Sequence, residues 1–359
     1  MKKILSSVLI IAVWMILPMT LWANQLTQYE VSDADTEVSY VGLIECTSDV
    51  APSNPDLEGR SWTDASFFKD SRWFEPSTTA PFDAIVPEWR PQWISIDDDG
   101  NGLDADQTNG ERGVYLYRKT FRVPAVAYNM SAEAAIASDN YGWLSVNGVE
   151  VLQPKDLTPT GINYTAPPST ESIPVKLLAC NNVLVAEVQN GFEGCTPPPN
   201  LPNQTIGEPN GPTGVIFSLT LDYELPHVVW QPPVSNLGPS GRKNGSTLPL
   251  KFRFYTQDGK LIKQPQQVYL AVHEGGYADE LGDIVAEWNL GNSVRNMRFS
   301  KGNGQYIANF QTQKEVDLHD GWYTAVVHDG CTGEALGHMD FELVGKKKEK
   351  DPKPPKPKK

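Results

Sequence analysis

Two short groups of residues have types and spacing that suit binding chemistry. In Asp97-Asp-Asp-Gly-Asn-Gly-Leu-Asp-Ala-Asp106, the side chains of Asp97, Asp99 and Asn101 alternate and Gly102 follows. This is how a calcium loop begins, because a hard cation takes several oxygens from a backbone that turns tightly. The run departs from that pattern at its twelfth position, where Thr108 stands in place of a bidentate Glu. Calcium is thus the one cofactor the residues suggest, and a solvated acidic turn is the other use of the same loop. In Asp139-Asn140-Tyr141-Gly142-Trp143, aromatic rings stand beside short polar side chains. A pyranose stacks on such rings while Asp and Asn bond its hydroxyls. The same residues also suit a turn and a core indole. Trp62, Trp73 and Trp89 are further stacking candidates.

The remaining chemistry-bearing residues form no catalytic constellation. His328 and His338 flank a hairpin that contains Cys331, but a zinc site takes three or four ligands. His273-Glu274 lacks the second His of a zinc protease, and there is no Gly-x-Ser-x-Gly elbow. Paired carboxylates for glycoside hydrolysis are recognised only by their separation in space. The chain is therefore read as non-catalytic. Of the four cysteines, Cys180 and Cys195 flank one strand and a loop and are the favoured disulfide, whereas Cys46 with Cys331 needs a cross-domain contact. Spacing alone leaves all three pairings open.

The elements that must position these residues are strands. Gly and Pro number 29 each and punctuate short segments rich in Val, Ile, Tyr, Trp and Phe. Gly113 to Val123 alternates apolar and polar residues, Tyr141 to Val146 follows, and Asn147-Gly148 provides a two-residue turn of the primed type before Val149 to Leu152. Asn182 to Gln189 and Gly214 to Tyr223 close this set. A Pro-rich junction near Glu224 to Pro239 leads to a second set: Leu248 to Tyr255, Gln267 to His273, Gln305 to Gln311, Gly321 to His328 and Gly337 to Leu343. Long stretches of helical period are absent. The fold class is all-β, with two β-sandwich domains, at 24–224 and 225–345. The first is entered through an aromatic, loop-rich stretch from Ser48 to Arg90.

The ends differ from the body. Lys2 and Lys3 precede an apolar run from Ile4 to Ala23 that is broken by Pro18, the form of an export signal over residues 1–23 with cleavage after Ala23. An uncleaved anchor is the other reading of that run. No second run of spanning length follows. Residues 346–359 are dominated by Lys and Pro and lack the apolar side chains that would offset the entropy of ordering, so a disordered basic tail is expected. The formal charge is −14; the leader supplies two positive charges and the tail six, so the body between them carries −22. Such a body repels a phosphate backbone, which argues against nucleic acid as partner.

Both halves resemble known families. From about Trp89 to Tyr223 the chain resembles the galactose-binding-like jelly roll of bacterial surface proteins. The resemblance rests on Gln92-Trp-Ile-Ser95 with Val114-Tyr-Leu-Tyr-Arg-Lys-Thr-Phe121, on Ala137-Ser-Asp-Asn-Tyr-Gly-Trp-Leu-Ser-Val-Asn-Gly148, and on Leu177-Leu-Ala-Cys-Asn-Asn-Val-Leu-Val-Ala-Glu-Val-Gln-Asn190. From about Trp230 to Val344 it resembles the bacterial immunoglobulin-like domain named for its Pro-x-Lys-Phe motif, through Pro232-Pro-Val234, Asn244-Gly-Ser-Thr-Leu-Pro-Leu-Lys-Phe-Arg-Phe254, Gly304-Gln-Tyr-Ile-Ala-Asn-Phe-Gln-Thr312 and Gly321-Trp-Tyr-Thr-Ala-Val-Val-His328. The two resemblances imply a ligand-binding jelly roll and a spacer. The expected function is that of a secreted or cell-surface bacterial protein that binds carbohydrate or a cell-envelope polymer. A structural subunit of an exterior layer, self-associating and without a small ligand, is the alternative. A glycan hydrolase with carboxylates between Trp62 and Trp93 is the third reading.

Overall fold

A computed structural model of the chain describes residues 25–42, 57, 60–61, 63–67, 75–95, 113–139, 141–152, 168–190, 214–234, 242–243, 245–278, 281–291, 296–312 and 318–344. The export signal, the Lys/Pro tail, the calcium-like loop at Asp97, Asp99 and Asn101, and Asn140, Cys46 and Cys195 lie outside these residues.

The chain is all-β and forms two sandwiches. The first contains β1 (Gln25–Val31), β2 (Glu37–Gly42), β3 (Thr63–Asp64), β4 (Ser66–Phe67), β5 (Ile94–Ser95), β6 (Gly113–Arg122), β7 (Tyr128–Asp139), β8 (Tyr141–Val146), β9 (Val149–Leu152), β10 (Ser169–Ser172), β11 (Asn181–Asn190) and β12 (Gly214–Glu224). One of its sheets has the order β10-β7-β12-β5-β4, with β1 pairing along the same edge of β12 as β5; the other has the order β3-β2-β6-β11-β8-β9. Tyr115 and Tyr117, Leu144 and Val146, and Val215, Phe217 and Leu219 alternate into the core between the sheets, as period-two patterning requires. Asn147 (φ +52°) and Gly148 (φ +76°) make the expected tight turn between β8 and β9.

Both sheets also bury part of their outer faces. Strand β7 turns Ala135 and Ala137 away from the main core, and Phe82, Ile85 and Trp93 pack over them together with Val31 and Ile216. Residues 82–93 of the aromatic region therefore cover the first sheet. On the second sheet, Val114, Leu116 and Val185 form an outer cluster that Leu57 packs against.

The second sandwich contains β13 (His227–Gln231), β14 (Arg242–Lys243), β15 (Thr247–Tyr255), β16 (Val268–Glu274), β17 (Ile284–Asn289), β18 (Arg298–Ser300), β19 (Gln305–Gln311), β20 (Gly321–Asp329) and β21 (Ala335–Val344). Its sheets have the orders β13-β15-β19-β18 and β14-β21-β20-β16-β17. Leu248, Leu250, Phe252 and Phe254 are the buried alternates of β15. Phe252 of the Pro249-Leu-Lys-Phe252 segment stacks on Tyr306 at 4.9 Å between ring centres. Burial pushes the Tyr306 phenol up to about 12.

The sandwiches are joined by two residues, Leu225 and Pro226, between β12 and β13. Val126 of the first sandwich packs in the core of the second. Its backbone N–H donates to Oδ2 of the fully buried Asp329 at 3.1 Å. The other oxygen of Asp329 accepts from the N–H groups of Cys331 and Thr332 at 2.8 and 2.9 Å, which fixes the β20–β21 loop. Cys180 is bonded to Cys331, with Cα atoms 5.2 Å apart. This corrects the expected Cys180–Cys195 pair, since a sulfur makes one disulfide. The reason is tertiary: the β20–β21 loop of the second sandwich lies against the residues leading into β11 of the first, a proximity that sequence separation hides.

Candidate functional site

Two of the sequence candidates, Asp139 and Trp143, are placed away from solvent. Asp139 ends β7 at 4% exposure and Trp143 sits on β8 at 5%. Tyr141 pairs with Gln189, and Trp143 pairs with Glu187. Directly paired residues share a face. Leu144 and Ala186, one position on, belong to the core, so Trp143 and Glu187 point to the outer face of the second sheet, in line with Leu116. Glu187 is buried there and accepts a 2.9 Å hydrogen bond from Gln189. The indole is thus neither in the main core nor open as a stacking platform.

The open aromatic surface lies on the other sheet, where the cover segment crosses it. Pro76 and Pro87 begin short 3-10 turns, Pro76–Thr78 and Pro87–Trp89, because the fixed φ of proline suits a first helical position and its missing N–H is not needed there. The segment is pinned to the sheet through Ser32. Its hydroxyl donates to the Gln92 carbonyl at 2.7 Å, and its own carbonyl accepts from the Gln92 N–H at 2.9 Å. Between this segment and β4 runs a cleft of about 470 Å³ lined by Phe67, Glu75, Pro76, Ser77, Pro87, Arg90, Pro91, Gln92 and Trp93. Phe67 is 48% exposed, and Trp89, next to Arg90, is 58% exposed.

Arg90 is held by main-chain oxygens. Its Nη2 donates to the carbonyl of Ile85 at 3.2 Å and of Asp83 at 3.5 Å, while its Nε is buried and has no hydrogen-bond partner. Arg118 and Lys119 on this sandwich are instead paired with carboxylates, Arg118 with Glu37 at 2.6 Å and Lys119 with Asp33, while Arg122 donates to the Cys331 carbonyl at 3.4 Å. None of the cleft's lining residues is a stacking or binding candidate by sequence; Trp89, a candidate, stands next to Arg90. The signal that marks the rest is the density of Pro and aromatic residues from Trp62 to Trp93.

Two smaller features lie elsewhere. A polar hollow of about 340 Å³ at the elbow between the sandwiches is lined by Tyr128, Asn129, Glu224, Gln257 and Lys260, among others. Burial raises the Tyr128 phenol to about 12, and its oxygen accepts from the Gln257 N–H at 2.7 Å across the elbow. On the outer face of the β16–β20 pair, His273 and His328 stand 6.5 Å apart, ring to ring. Each donates Nδ1–H to a backbone carbonyl, of Gly282 at 3.1 Å and of Gly333 at 3.0 Å. Burial holds the pKa of His328 below its usual value, helped by the nearby His273. His338 stacks on Tyr277 instead. Among the described residues, no group of three or more His, Cys, Asp or Glu side chains is arranged to hold a metal.

Fold and cleft together define a two-sandwich, all-β protein with an aromatic-rimmed cleft on its first sandwich. No protein-family model matches the chain, and no curated protein sequence matches it. Among solved structures it is similar to a β-glucuronidase of Faecalibacterium prausnitzii, at 13% identity and a TM-score of 0.31, over 89% of this chain and 46% of that one. It is also similar to a β-glucuronidase from Ruminococcus gnavus in complex with uronic deoxynojirimycin, at 13% identity and a TM-score of 0.30, over 89% and 45% of the two chains. The chain spans less than half the length of these structures. At such values neither their ligands nor their activity carries over.

Proposed function

We propose that the chain is an exported, non-catalytic glycan-binding protein of the bacterial cell exterior. Its first sandwich, a galactose-binding-like jelly roll, holds the saccharide, and its second, an immunoglobulin-like domain, acts as a spacer. The observation that carries this reading is the cleft at Phe67, Glu75, Arg90 and Gln92, with the exposed rings of Phe67 and Trp89 beside it. A sugar needs an apolar ring face to stack on and a few fixed polar groups for its hydroxyls, and this cleft supplies both. Glu75 and the Gln92 side-chain carbonyl accept, while Arg90 and the Gln92 amide donate. The site thus moves from the residues around Trp143 to those around Trp89.

The test is binding of the full chain to a broad array of glycans and envelope polymers, in calcium and in chelator. Phe67→Ala and Trp89→Ala are each expected to weaken binding about tenfold, the 1.4 kcal/mol scale of one aromatic stack. Trp143→Ala is expected to lower the melting temperature without changing which glycans bind. Loss of signal in chelator would assign calcium to the acidic loop at Asp97, Asp99 and Asn101. Silence of folded protein on every glycan would sink the reading. A hydrolase needs a second carboxylate across the cleft from Glu75, and release of new reducing ends from a bound glycan would replace binding with hydrolysis.

One observation favours assembly as a second reading. β17 closes an edge of its sheet and carries Ile284 at 55% exposure, with Trp322 and Tyr277 also exposed. Open edges recruit further strands. Sedimentation of Ile284→Lys beside the parent chain tests this, with concentration-dependent association of the parent alone as the expected outcome.

A further inference from the structure

We infer that the saccharide taken by the cleft carries a single oxyanion, a carboxylate or a sulfate, on an otherwise neutral chain, and that Arg90 is its partner. This rests on the glycan-binding reading above. The argument begins with charge. The protein has 44 Asp and Glu against 30 Lys and Arg, so a guanidinium has no shortage of carboxylates to pair with. Arg118 and Lys119 on the same sandwich do pair. Arg90 instead is oriented by the carbonyls of Ile85 and Asp83, which leave its positive charge uncompensated, and its Nε–H is buried without an acceptor.

The Ile85 and Asp83 carbonyls take Nη2 and Nε is closed off, so Nη1 is the donor that Arg90 has left to offer, and a charge-assisted hydrogen bond from it suits an oxygen of a carboxylate or sulfate. Holding the group through the backbone fixes the guanidinium in the cleft lining before any ligand arrives. The loop therefore positions a cation and keeps it free for an anion from outside.

The other cleft residues limit the ligand further. The described lining supplies one cation, Arg90, and also carries the carboxylate of Glu75, so a second anion on the ligand finds no second cation there. Asp83 and Glu88 are exposed close by in sequence. The body as a whole is acidic, which disfavours polyanions at long range. A densely charged polymer is thereby excluded, whereas one anion per several neutral rings is accommodated.

The experiment uses the full chain and four tetrasaccharide probes: one bearing a single uronate, the same chain after carboxyl reduction, a singly sulfated form, and an all-uronate form. The singly charged probes are expected to bind at least tenfold tighter than the reduced one, and the all-uronate probe more weakly than either. The carboxylate and sulfate arms show which oxyanion is preferred. Arg90→Gln should bring the charged-to-neutral ratio to about one, and Arg90→Lys, which keeps the charge but loses the guanidinium that the two carbonyls hold in place, should give an intermediate ratio. Glu75→Gln should admit the all-uronate probe. Equal binding of charged and reduced probes by the parent chain would overturn the inference and leave glycan binding standing. Silence on all four, with silence on the broader array, would overturn both. Because the deciding comparison is made on the parent chain, it does not depend on the variants folding.

Discussion

Trp89 on a 3-10 turn of the cover and Trp143 on β8 carry the same ring, yet one is open to solvent and the other is buried beside Glu187 on the outer face of its sheet. Residue type alone offered both as sugar platforms; burial separates them. Burial also sets the behaviour of His328. Its pKa is lowered mainly by desolvation, so the folded protein favours the neutral ring. The sign follows by linkage: the folded state binds fewer protons than the unfolded one between the lowered value and the ordinary 6.5. The stabilisation is complete above 6.5 and is lost as pH falls through the folded pKa. Urea midpoints of the parent chain are therefore expected to drop from pH 8 to pH 5, and His328→Gln should flatten that slope. An equal slope in the variant would assign the dependence to other groups.

At the scale of elements, β7 and β8, one from each sheet of the first sandwich, lie close against one another at Gly142. A Cβ built there would lie 2.4 Å from Oγ and 2.8 Å from Cβ of Ser138 on β7. Gly142→Ala is expected to cost about 1–3 kcal/mol in urea unfolding, the usual range for overpacking, and Ser138→Gly in the same chain should recover part of it. Strands of this kind were legible in the sequence because alternation of apolar residues along Gly113–Arg122 or Thr247–Tyr255 reports directly which face is buried. The Asn147-Gly148 turn was legible for a similar reason, since few residues tolerate its backbone. The cleft was not. Its cover segment has no period, only prolines and rings, and its chemistry depends on which side chains the Ser32–Gln92 pin brings beside β4. The disulfide escaped for a related reason: Cys180 and Cys331 meet through the docking of two domains, which no local pattern encodes.

Over the whole molecule, the short connection, the packing of Val126, the buried Asp329, the Tyr128–Gln257 hydrogen bond and the Cys180–Cys331 bond act on one elbow. The disulfide joins positions 151 residues apart. A loop of that size constrains the unfolded chain by about 4–5 kcal/mol on the chain-entropy account. Paired Cys180→Ser and Cys331→Ser changes are expected to lower the urea midpoint by a comparable energy. Adding Asp329→Ala should then widen the distance distribution in solution scattering, because the remaining contacts at the elbow are few. An unchanged distribution in the triple variant would place the rigidity in the Val126 packing, the short connection and the Tyr128–Gln257 hydrogen bond.

The same bond alters how the chain carries load. Tension applied between the start of the first sandwich and the end of β21 passes from Cys180 to Cys331 through sulfur, and the residues between them never enter the line of force. Most of the second sandwich, from β13 to β20, is enclosed in that bypass. A molecule pulled from both ends would keep residues 181–330 from extending until that bond is cut, whereas an ordinary tandem of sandwiches lengthens by its whole contour. Stretched singly, the parent chain should lack a lengthening step of roughly 500 Å that the paired Ser variant releases.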